Sequence, residues 1–523
     1  MEGFPGLRQA IAEARNHLVF LHDTRAPHGL FVVCKRWYQR EMARYLSDNS
    51  VFEEVSLTWQ QTLDLPAPLG PGIKAKLLDF GYKCGDGVCY NYGIWKPKKL
   101  KFRFIAGTRA AVQHPFDGSS SQNQPPDRKR GPPRSPMYFL CKDLVRLLNV
   151  VIKSLKEADA RNQAETGLRC FWGIDSINEF TRSVRVNADF IASHGMATYD
   201  FSTMYTAFPL DILVHNVMSS VREAMEYEAS KAPGNGAPTL TVKGWSWSGD
   251  GMDYNTLQQM LHFSVYFNFI VNGDKLRRQV KGIPMGLPHA PQLVTLACYP
   301  VEKSYVLATR PTGLACRCID DFFVSGMTPP PQEDYFMEYK LTSTDPQRVV
   351  YLGVEVLVRG GKVHTSLYDR EEDYPFHIVR YPDWDTVAPL QQHGGVLMGR
   401  FVACQEACTY LQDFKESVAN VVRRALQRHY PKTLVANVWS RFLHTRWPSG
   451  DIRRRELMNW FRRLVTYLER RGDVRAPAPE QRLAPIRPSP LTLDFLRVFG
   501  VNSNSQSAVR QRNHQSHGSQ NIA

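Results

Sequence analysis

The sequence lacks the features that would assign it to a membrane or a secreted protein. Nowhere in its 523 residues do about eighteen apolar residues run together, the length that a membrane-spanning helix needs. The opening segment, "MEGFPGLRQAIAEARNHLVFL", carries acidic residues and no continuous apolar core, so it does not resemble a signal peptide. We therefore expect a soluble intracellular protein that does not contact membranes.

Cysteine is too sparse for a disulfide framework. The chain has ten cysteines, most of them set among apolar residues, which is typical of reduced core thiols. Two close pairs occur, Cys84 with Cys89 and Cys316 with Cys318, but no second Cys/His pair follows either at zinc-finger spacing. We expect no structural zinc site.

Acidic residues are in deficit. Lys and Arg number 65 against 50 Asp and Glu, which gives a net charge of +15 and a pI near 9.3. This excess suits a polyanionic partner such as a nucleic acid, although basic charge alone would also fit a membrane surface. With 43% hydrophobic residues the chain can nevertheless bury a large core.

Hydrophobic patterns divide the chain into segments. Residues 1–75 are expected to be helical, whereas "GVCYNYGIW" and "KLKFRFIAGT" predict two strands of a basic hairpin. Residues 115–136 are a polar Pro/Gly/Ser-rich loop, expected to be disordered. A β-meander is predicted in "VVYLGVEVLVRGGKVHTSLYD", basic helices follow from about residue 390 to 475, and the polar C-terminal tail is expected to be disordered.

Three aspartates form the candidate chemical centre. Asp320 and Asp321 are adjacent inside the apolar stretch "CRCIDDFFVSG", which predicts a hairpin, and Asp200 ends the strand "MATYDF". Neighbouring carboxylates repel, so the pair is either a solvated turn or a ligand for a divalent cation. Two-metal nucleotidyl transfer needs carboxylates from adjacent strands. We expect Asp200 and Asp320 to share two Mg²⁺ ions, for which Mn²⁺ can substitute, with Asp321 as an accessory ligand.

Several motifs then follow one another in a recognisable order. "YDFSTMYTAFP" resembles the first catalytic motif of a reverse transcriptase palm, "KGIPMGLPHAP" the Gly/Pro motif after it, and "CIDDFF" the double-aspartate hairpin. "KFRFIAGT", "GLRCFW" and "VHTSLYDREEDYPFHIVRYP" resemble flanking motifs in the same order. Between residues 90 and 470 the chain thus resembles a reverse transcriptase of the Penelope-like group, which is similar to telomerase reverse transcriptase.

This resemblance implies an α+β right-hand polymerase fold. The implied domains are a helical N-terminal region (1–75), fingers (76–195), a palm of antiparallel sheet and helices (196–385), a basic helical thumb (386–480) and a tail (481–523). The implied function is RNA-directed DNA polymerase activity, which extends a DNA primer on an RNA template with dNTPs. The alternative is a domesticated nucleic-acid-binding protein that keeps the fold without turnover.

The resemblance also suggests residues that contact the nucleotide. Tyr205 lies where the family places an aromatic ring beneath the incoming sugar, and such a ring excludes a ribose 2′-hydroxyl. Lys101 and Arg103, on one face of the basic hairpin, are expected to grip the triphosphate and the template. Lys340 lies where the family keeps a lysine that protonates the departing pyrophosphate. Without the resemblance, Tyr205 would be read as a core aromatic and the two hairpin cations as a solvated face.

The Gly/Pro motif is expected to approach the nucleic acid. Gly282 and Gly286 let a backbone come close, and Pro284 stiffens the loop between them, although a lone G-x-P-x-G is more often an ordinary loop. Close by, Pro300 is expected to interrupt and kink the helix that follows.

Other departures from the family pattern concern catalytic activity, and further sequence features concern associated domains and cellular location. Cys318 replaces the usual aromatic before the double aspartate, Pro288 stands in the Gly/Pro motif, and Gly353 occupies a position where a carboxylate is more usual. No GIY-YIG or RNase H pattern is evident in the chain. The segment "DRKRGPPR" at 127–134 resembles a nuclear import signal, so a nuclear location is expected.

Overall fold

The structure is a computed structural model that describes residues 13–22, 30–56, 88–96, 101–112, 137–202, 204–272, 275–373, 381–384, 390–448 and 450–470. The basic segment 127–134, the loop 115–136 and the tail after residue 480 lie outside these ranges, so their expected properties stay predictions. The chain divides into two compact units, residues 1–466 and residues 467–523. Within the second unit the structure describes only residues 467–470.

The strands alternate with helices in a mixed arrangement, and both are numbered here in chain order. The strands are β1 (Leu18–His22), β2 (Leu30–Cys34), β3 (Phe52–Val55), β4 (Val88–Lys96), β5 (Lys101–Val112), β6 (Ala197–Phe201), β7 (Thr239–Thr241), β8 (Gly244–Ser246), β9 (Phe269–Asn272), β10 (Lys275–Gln279), β11 (Leu314–Cys318), β12 (Asp321–Ser325), β13 (Tyr339–Leu341), β14 (Arg348–Tyr351), β15 (Val354–Arg359) and β16 (Lys362–Leu367). The helices are α1 (Lys35–Leu46), α2 (Met137–Thr166), α3 (Ile177–Val186), α4 (Ala188–His194), α5 (Met204–Ala207), α6 (Leu210–Lys231), α7 (Tyr254–Tyr266), α8 (Ala290–Thr309), α9 (Gln332–Tyr335), α10 (Leu390–Ala407), α11 (Leu411–Gln427), α12 (Lys432–Arg446) and α13 (Ile452–Arg470). The α+β class is confirmed.

Two sheets position the candidate site. One has the strand order β3-β10-β9-β4-β5 and contains the basic hairpin, and the other has the order β11-β12-β6-β13 and contains the three aspartates. The predicted hairpins β4–β5 and β11–β12 are therefore confirmed, as is the meander β14-β15-β16. The predicted helical segment after residue 390 is confirmed for α10 to α13. The boundaries drawn for fingers, palm and thumb stay a prediction.

The expectation of helix throughout residues 1–75 is wrong. β1 and β2 pair with each other as an antiparallel hairpin, and β3 pairs with β10, which lies more than 200 residues further along the chain. Short apolar runs such as "LFVVC" do not distinguish strand from helix by periodicity, and a distant partner strand decides between them. Within the described residues of this segment, α1 is an amphipathic helix, as expected.

Pro300 does not interrupt its helix. The helix α8 runs from Ala290 to Thr309 through Pro300, which cannot donate a hydrogen bond to the Leu296 carbonyl one turn earlier. The buried Ser220 hydroxyl on α6 donates to that carbonyl instead, at 2.7 Å. Asn216, also on α6, donates to the Ala297 carbonyl at 3.0 Å. Because a neighbouring helix supplies the one missing donor, α8 continues through Pro300, where the sequence predicted an interruption.

The core lies between the antiparallel sheet of β6 and a layer of long helices. α2, α6, α7 and α8 bury their apolar faces in one large cluster, which also contains Phe201 and Phe322 from the sheet. Eight cysteines of the described residues form no disulfide in this structure, and six of them are buried, while their reduced state stays a prediction. None of the helices in the described ranges is long and apolar enough to cross a membrane.

Candidate active site

Strand pairing brings the aspartates together. Asp200 on β6 is the direct cross-strand partner of Asp321 on β12, and on the other side of β6 it is the partner of Lys340 on β13. Asp321 is in turn paired with Cys318 on β11. Residues paired in this way share one face of a sheet. Cys318, Asp321, Asp200 and Lys340 therefore form a row across all four strands.

Asp320 lies in the tight turn between β11 and β12. Its backbone carbonyl accepts a hydrogen bond of 2.8 Å from the amide of Phe201, the residue after Asp200. This bond ties the turn to the end of β6. The preceding residue, Ile319, has a φ of +58°, in the left-handed region that β-branched residues rarely adopt.

Asp200 and Asp320 line an open cleft of about 400 Å³. Its walls come from α1, from the basic hairpin β4–β5 and from the loop and short helix that follow β6. The side chains and backbone that line it belong to Trp37, Glu41, Arg44, Tyr45, Lys96, Lys101, Phe102, Arg103, Phe104, Asp200, Phe201, Ser202, Met204, Tyr205, Thr206, Met285 and Asp320. One wall is thus rich in cations and the other carries two carboxylates.

The charges across the cleft influence each other. Burial raises the pKa of Asp320, and the nearby carboxylate of Asp200 raises it further. The cationic groups of Arg103 and Lys96, on the opposite wall, lower the pKa of Asp320. A half-buried carboxylate pair of this kind is stabilised by any additional cation that binds between the two groups.

Tyr205 is fixed in the cleft by its backbone. Its carbonyl accepts a hydrogen bond of 3.2 Å from the side-chain amide of Gln279. Gly282 lies so close behind it, with a φ of +79°, that a Cβ atom there would be only 2.6 Å from the Thr206 Cα. Burial, and secondarily the charge of Asp320, raises the pKa of the Tyr205 phenol. The ring therefore stays neutral and lies within electrostatic reach of Asp320.

The structure separates the expected site residues into two groups. Asp200, Asp320, Tyr205, Lys101 and Arg103 all line the one cleft. The others are near it but do not line it: Asp321, Lys340, Gly282, Pro284 and Gly286.

The second group has other surroundings. Asp321 and Lys340 are exposed and extend the row that contains Asp200. Gly282 makes a close approach to the backbone of Tyr205 and Thr206, and its expected approach to a nucleic acid stays a prediction. Pro284 is buried, and Gly286 is an exposed residue with a φ of +112°. In the Gly/Pro motif, Met285 is the residue that lines the cleft.

Sequence reasoning missed two contributors to the cleft. Lys96 is the cross-strand partner of Lys101 in the basic hairpin. Its position at the end of a strand with alternating residues could have indicated that it lies beside Lys101. The helix α1 supplies Trp37, Glu41 and Arg44. Its mixture of apolar and basic residues was visible, but nothing local indicated that it would lie beside Asp200.

The donor set fits a divalent cation that is completed by a substrate. Within the described residues, no three His, Cys, Asp or Glu side chains converge into a ready-made metal cage. Mg²⁺ does not require one, because it is usually held by one or two carboxylates together with substrate phosphates and water. Asp200 and Asp320 supply such a pair of carboxylates, and cations on the facing wall are suited to phosphate.

No protein-family model matches this chain, and no curated protein matches it. Among solved structures it is similar to apo telomerase from Candida tropicalis truncated from its C-terminal domain, with 11% identity over 67% of this chain and 64% of that one, and a TM-score of 0.44. It is similar to telomerase from Candida albicans in complex with a fragment of telomeric RNA (10% identity, 85% and 73% covered, TM-score 0.44). It is also similar to the Sicinivirus 3Dpol RNA-dependent RNA polymerase (12% identity, 56% and 54% covered, TM-score 0.24). At such low identity and TM-scores, the chemistry of the site has to be judged from its own residues.

Proposed function

We propose that this protein is an RNA-directed DNA polymerase that extends a DNA primer 3′-hydroxyl with dNTPs on an RNA template. The observation that carries the proposal is the pairing of Asp200 with the double-aspartate hairpin, in a cleft whose opposite wall is cationic. The order of the motifs around these residues supports it. On the same motifs we infer a place in the Penelope-like group and a retroelement origin, and on the basic segment 127–134 we infer a nuclear location.

In the proposed reaction the chain's own groups bind and orient the reactants. Bound Mg²⁺ ions would lower the pKa of the primer hydroxyl and neutralise charge on the departing pyrophosphate. Asp200 and Asp320 would hold these ions, with Asp321 as an accessory carboxylate. Arg103 and Lys101 would contact the triphosphate, because a guanidinium offers a bidentate fork and an ammonium a point charge.

Lys340 is proposed as the acid that protonates pyrophosphate. Its position beside Asp200 in the cross-strand row supports this role, since the residue lies one strand away from a proposed metal ligand. Its side chain is exposed, so it keeps the freedom to move toward a bound substrate.

Tyr205 is proposed to select deoxynucleotides. The backbone of Tyr205 is held by Gln279 and by the close approach of Gly282, so the residue cannot withdraw easily to admit a 2′-hydroxyl. Replacing Tyr205 with Ala should therefore increase incorporation of ribonucleotides relative to deoxynucleotides in primer extension. An unchanged sugar preference would remove this role and favour a polymerase that uses ribonucleotides.

The direct test is primer extension by the purified protein on an RNA template with dNTPs and either Mg²⁺ or Mn²⁺, beside the double variant Asp320→Ala/Asp321→Ala. Metal-dependent extension by the wild type alone would support the proposal. If neither protein extends the primer while both bind it equally, the protein is better described as a non-catalytic nucleic-acid-binding protein.

A further inference from the structure

The turn that carries the two aspartates has a conformation that its own sequence disfavours. Ile319 has a φ of +58°, and a β-branched side chain in this region is strained. Strained backbone of this kind persists where the surrounding structure holds it in place. The contacts that hold this turn therefore help to set the orientation of Asp320.

Three consecutive carbonyls of the turn accept hydrogen bonds from three separate parts of the chain. The Arg317 guanidinium donates to the Ile319 carbonyl at 3.4 Å. The Phe201 amide donates to the Asp320 carbonyl at 2.8 Å, and the Tyr351 hydroxyl donates to the Asp321 carbonyl at 3.1 Å. The Tyr351 hydroxyl also lies 3.1 Å from the Cys316 carbonyl, so it contacts both strands of the hairpin.

Arg317 is buried to an extent that needs explanation. Its side chain is 1% exposed and forms an ion pair with Glu302 of α8, which is fully buried. A second guanidinium nitrogen is 3.3 Å from the other oxygen of Glu302 and donates to the Thr295 carbonyl at 3.2 Å. Replacing a buried ion pair by apolar residues is often neutral for stability or even favourable, so stability alone is a weak reason for this arrangement.

Tyr351 is similarly enclosed. Its side chain is 2% exposed, and its ring packs against Phe180 and Phe323, with centroid distances of 4.7 and 6.0 Å. This packing fixes the ring, and the hydroxyl contacts the backbone of the hairpin. Arg317 thus contacts the turn from the side of α8, where its strand partner Phe322 packs, whereas Tyr351 contacts the hairpin from the side of Phe323.

We propose that Arg317 and Tyr351 are positioning residues, which hold the turn between β11 and β12 in the conformation that directs Asp320 into the cleft beside Asp200. Glu302 fixes the guanidinium of Arg317 in the orientation that this contact needs. The inference rests on the proposed polymerase function for its catalytic consequence, but the contacts themselves can be tested without activity.

The first test uses the double variant Arg317→Met/Glu302→Leu, which removes both charges and so leaves no unpaired ion in the core. Backbone hydrogen exchange of the wild type and the variant is compared over residues 314–326. Faster exchange at the turn is expected in the variant, because the Ile319 carbonyl loses its donor. In primer extension we expect kcat to fall about 100-fold, as displaced catalytic groups commonly cause, with little change in KM for the primer-template.

Tyr351→Phe is the second, gentler variant, since it removes one hydroxyl and keeps the ring. It is expected to lower kcat about tenfold and to raise exchange over the same residues. It also decides the question if the double variant does not fold. Arg185→Met is the matched control, because Arg185 also donates to a backbone carbonyl, that of Cys408, at 2.5 Å, but away from the turn.

The outcomes separate the two proposals. If a folded Arg317→Met/Glu302→Leu variant and Tyr351→Phe both keep wild-type exchange at 314–326 and wild-type kcat, the positioning role is overturned. A lower unfolding temperature with unchanged kcat and exchange would make these residues merely structural. If the wild type itself extends no primer, the proposed function fails, while the exchange measurement still decides whether these residues hold the turn.

Discussion

The two walls of the cleft are built in different ways. The wall with the carboxylates belongs to a sheet packed on the large helical core, in which Phe322 and Arg317 are each 1% exposed. The cationic wall belongs to a hairpin and a helix that pack, among the described residues, on a separate small cluster containing Met42, Leu46 and Phe104. Lys101, on the cationic wall, is exposed.

This difference matches what each wall is proposed to bind. Ligands of a metal ion must be held within a fraction of an ångström, and neighbouring packing and hydrogen bonds provide that precision. Phosphates can be contacted by long flexible side chains that adapt to the substrate. We therefore expect substitutions on the carboxylate wall to affect chemistry and those on the cationic wall to affect binding.

The largest effect is expected from the carboxylates. Asp200→Asn and Asp320→Asn should each lower the rate of primer extension about 100- to 1000-fold, because each removes a charge that stabilises the reacting groups. Asp321→Asn should cost less, since Asp321 does not line the cleft. Asp334→Asn, an exposed position outside the cleft, is the control. The effects of all four variants are measured as single-turnover rates. A wild-type rate for Asp320→Asn would contradict the proposed difference between the two walls.

The next effect concerns the support of Tyr205. Gly282→Ala would place a Cβ atom against the backbone of Tyr205 and Thr206, at a φ that also disfavours alanine. We expect a loss of about 1–3 kcal/mol in the free energy of unfolding. Gly360→Ala is the control, because Gly360 has a φ of +56° with no atom within 4 Å of the added carbon. If the two variants lose equal free energies of unfolding in chemical denaturation, backbone strain alone, and not the close approach, explains the need for glycine at position 282.

A smaller effect is expected for the helix that supports the carboxylate wall. Ser220→Ala removes the donor to the Leu296 carbonyl, which Pro300 leaves without its helical partner. Leaving this buried carbonyl unsatisfied should cost about 1–3 kcal/mol of stability. Ser193→Ala, on the exposed face of α4, should change stability by less than about 0.5 kcal/mol. If the two variants unfold at the same denaturant concentration, our account of the uninterrupted helix is wrong.

The smallest effect should come from the cationic wall. Arg103→Gln removes one proposed phosphate contact, so we expect KM for dNTPs to rise about tenfold while kcat changes little. Arg40→Gln removes the same charge from an exposed position on α1 that does not line the cleft, and it should leave KM unchanged. Steady-state kinetics distinguishes the two. A fall in kcat without a rise in KM would mean that Arg103 acts in the chemical step. The two walls would then not differ in the way proposed.

The sequence predicted the carboxylate wall better than the cationic one. Asp200 and the hairpin of Asp320 and Asp321 lie in short motifs whose strand and turn patterns are local, and these elements form where expected. β3 could not be assigned in the same way, because its partner β10 is far along the chain. The presence of α1 in the cleft likewise depends on long-range packing.

The expected interruption at Pro300 failed for the same reason. Pro300 locally predicts a break, but the hydroxyl that prevents it belongs to another helix. Gly282 locally predicts a close approach, and its neighbour within the chain is the backbone of Tyr205 and Thr206, while its approach to a nucleic acid stays a prediction. In both cases the local sequence does not identify the distant partner.

The central claim is that Asp200 and Asp320 hold the divalent cations of a polymerase. Mn²⁺ binding, followed by electron paramagnetic resonance in the presence of an RNA template, a DNA primer and a non-hydrolysable dNTP analogue, tests it directly. We expect about two tightly bound Mn²⁺ ions per chain in the wild type and a clear loss in Asp200→Asn/Asp320→Asn at equal primer-template occupancy. The same number of tightly bound ions in both proteins would contradict the account.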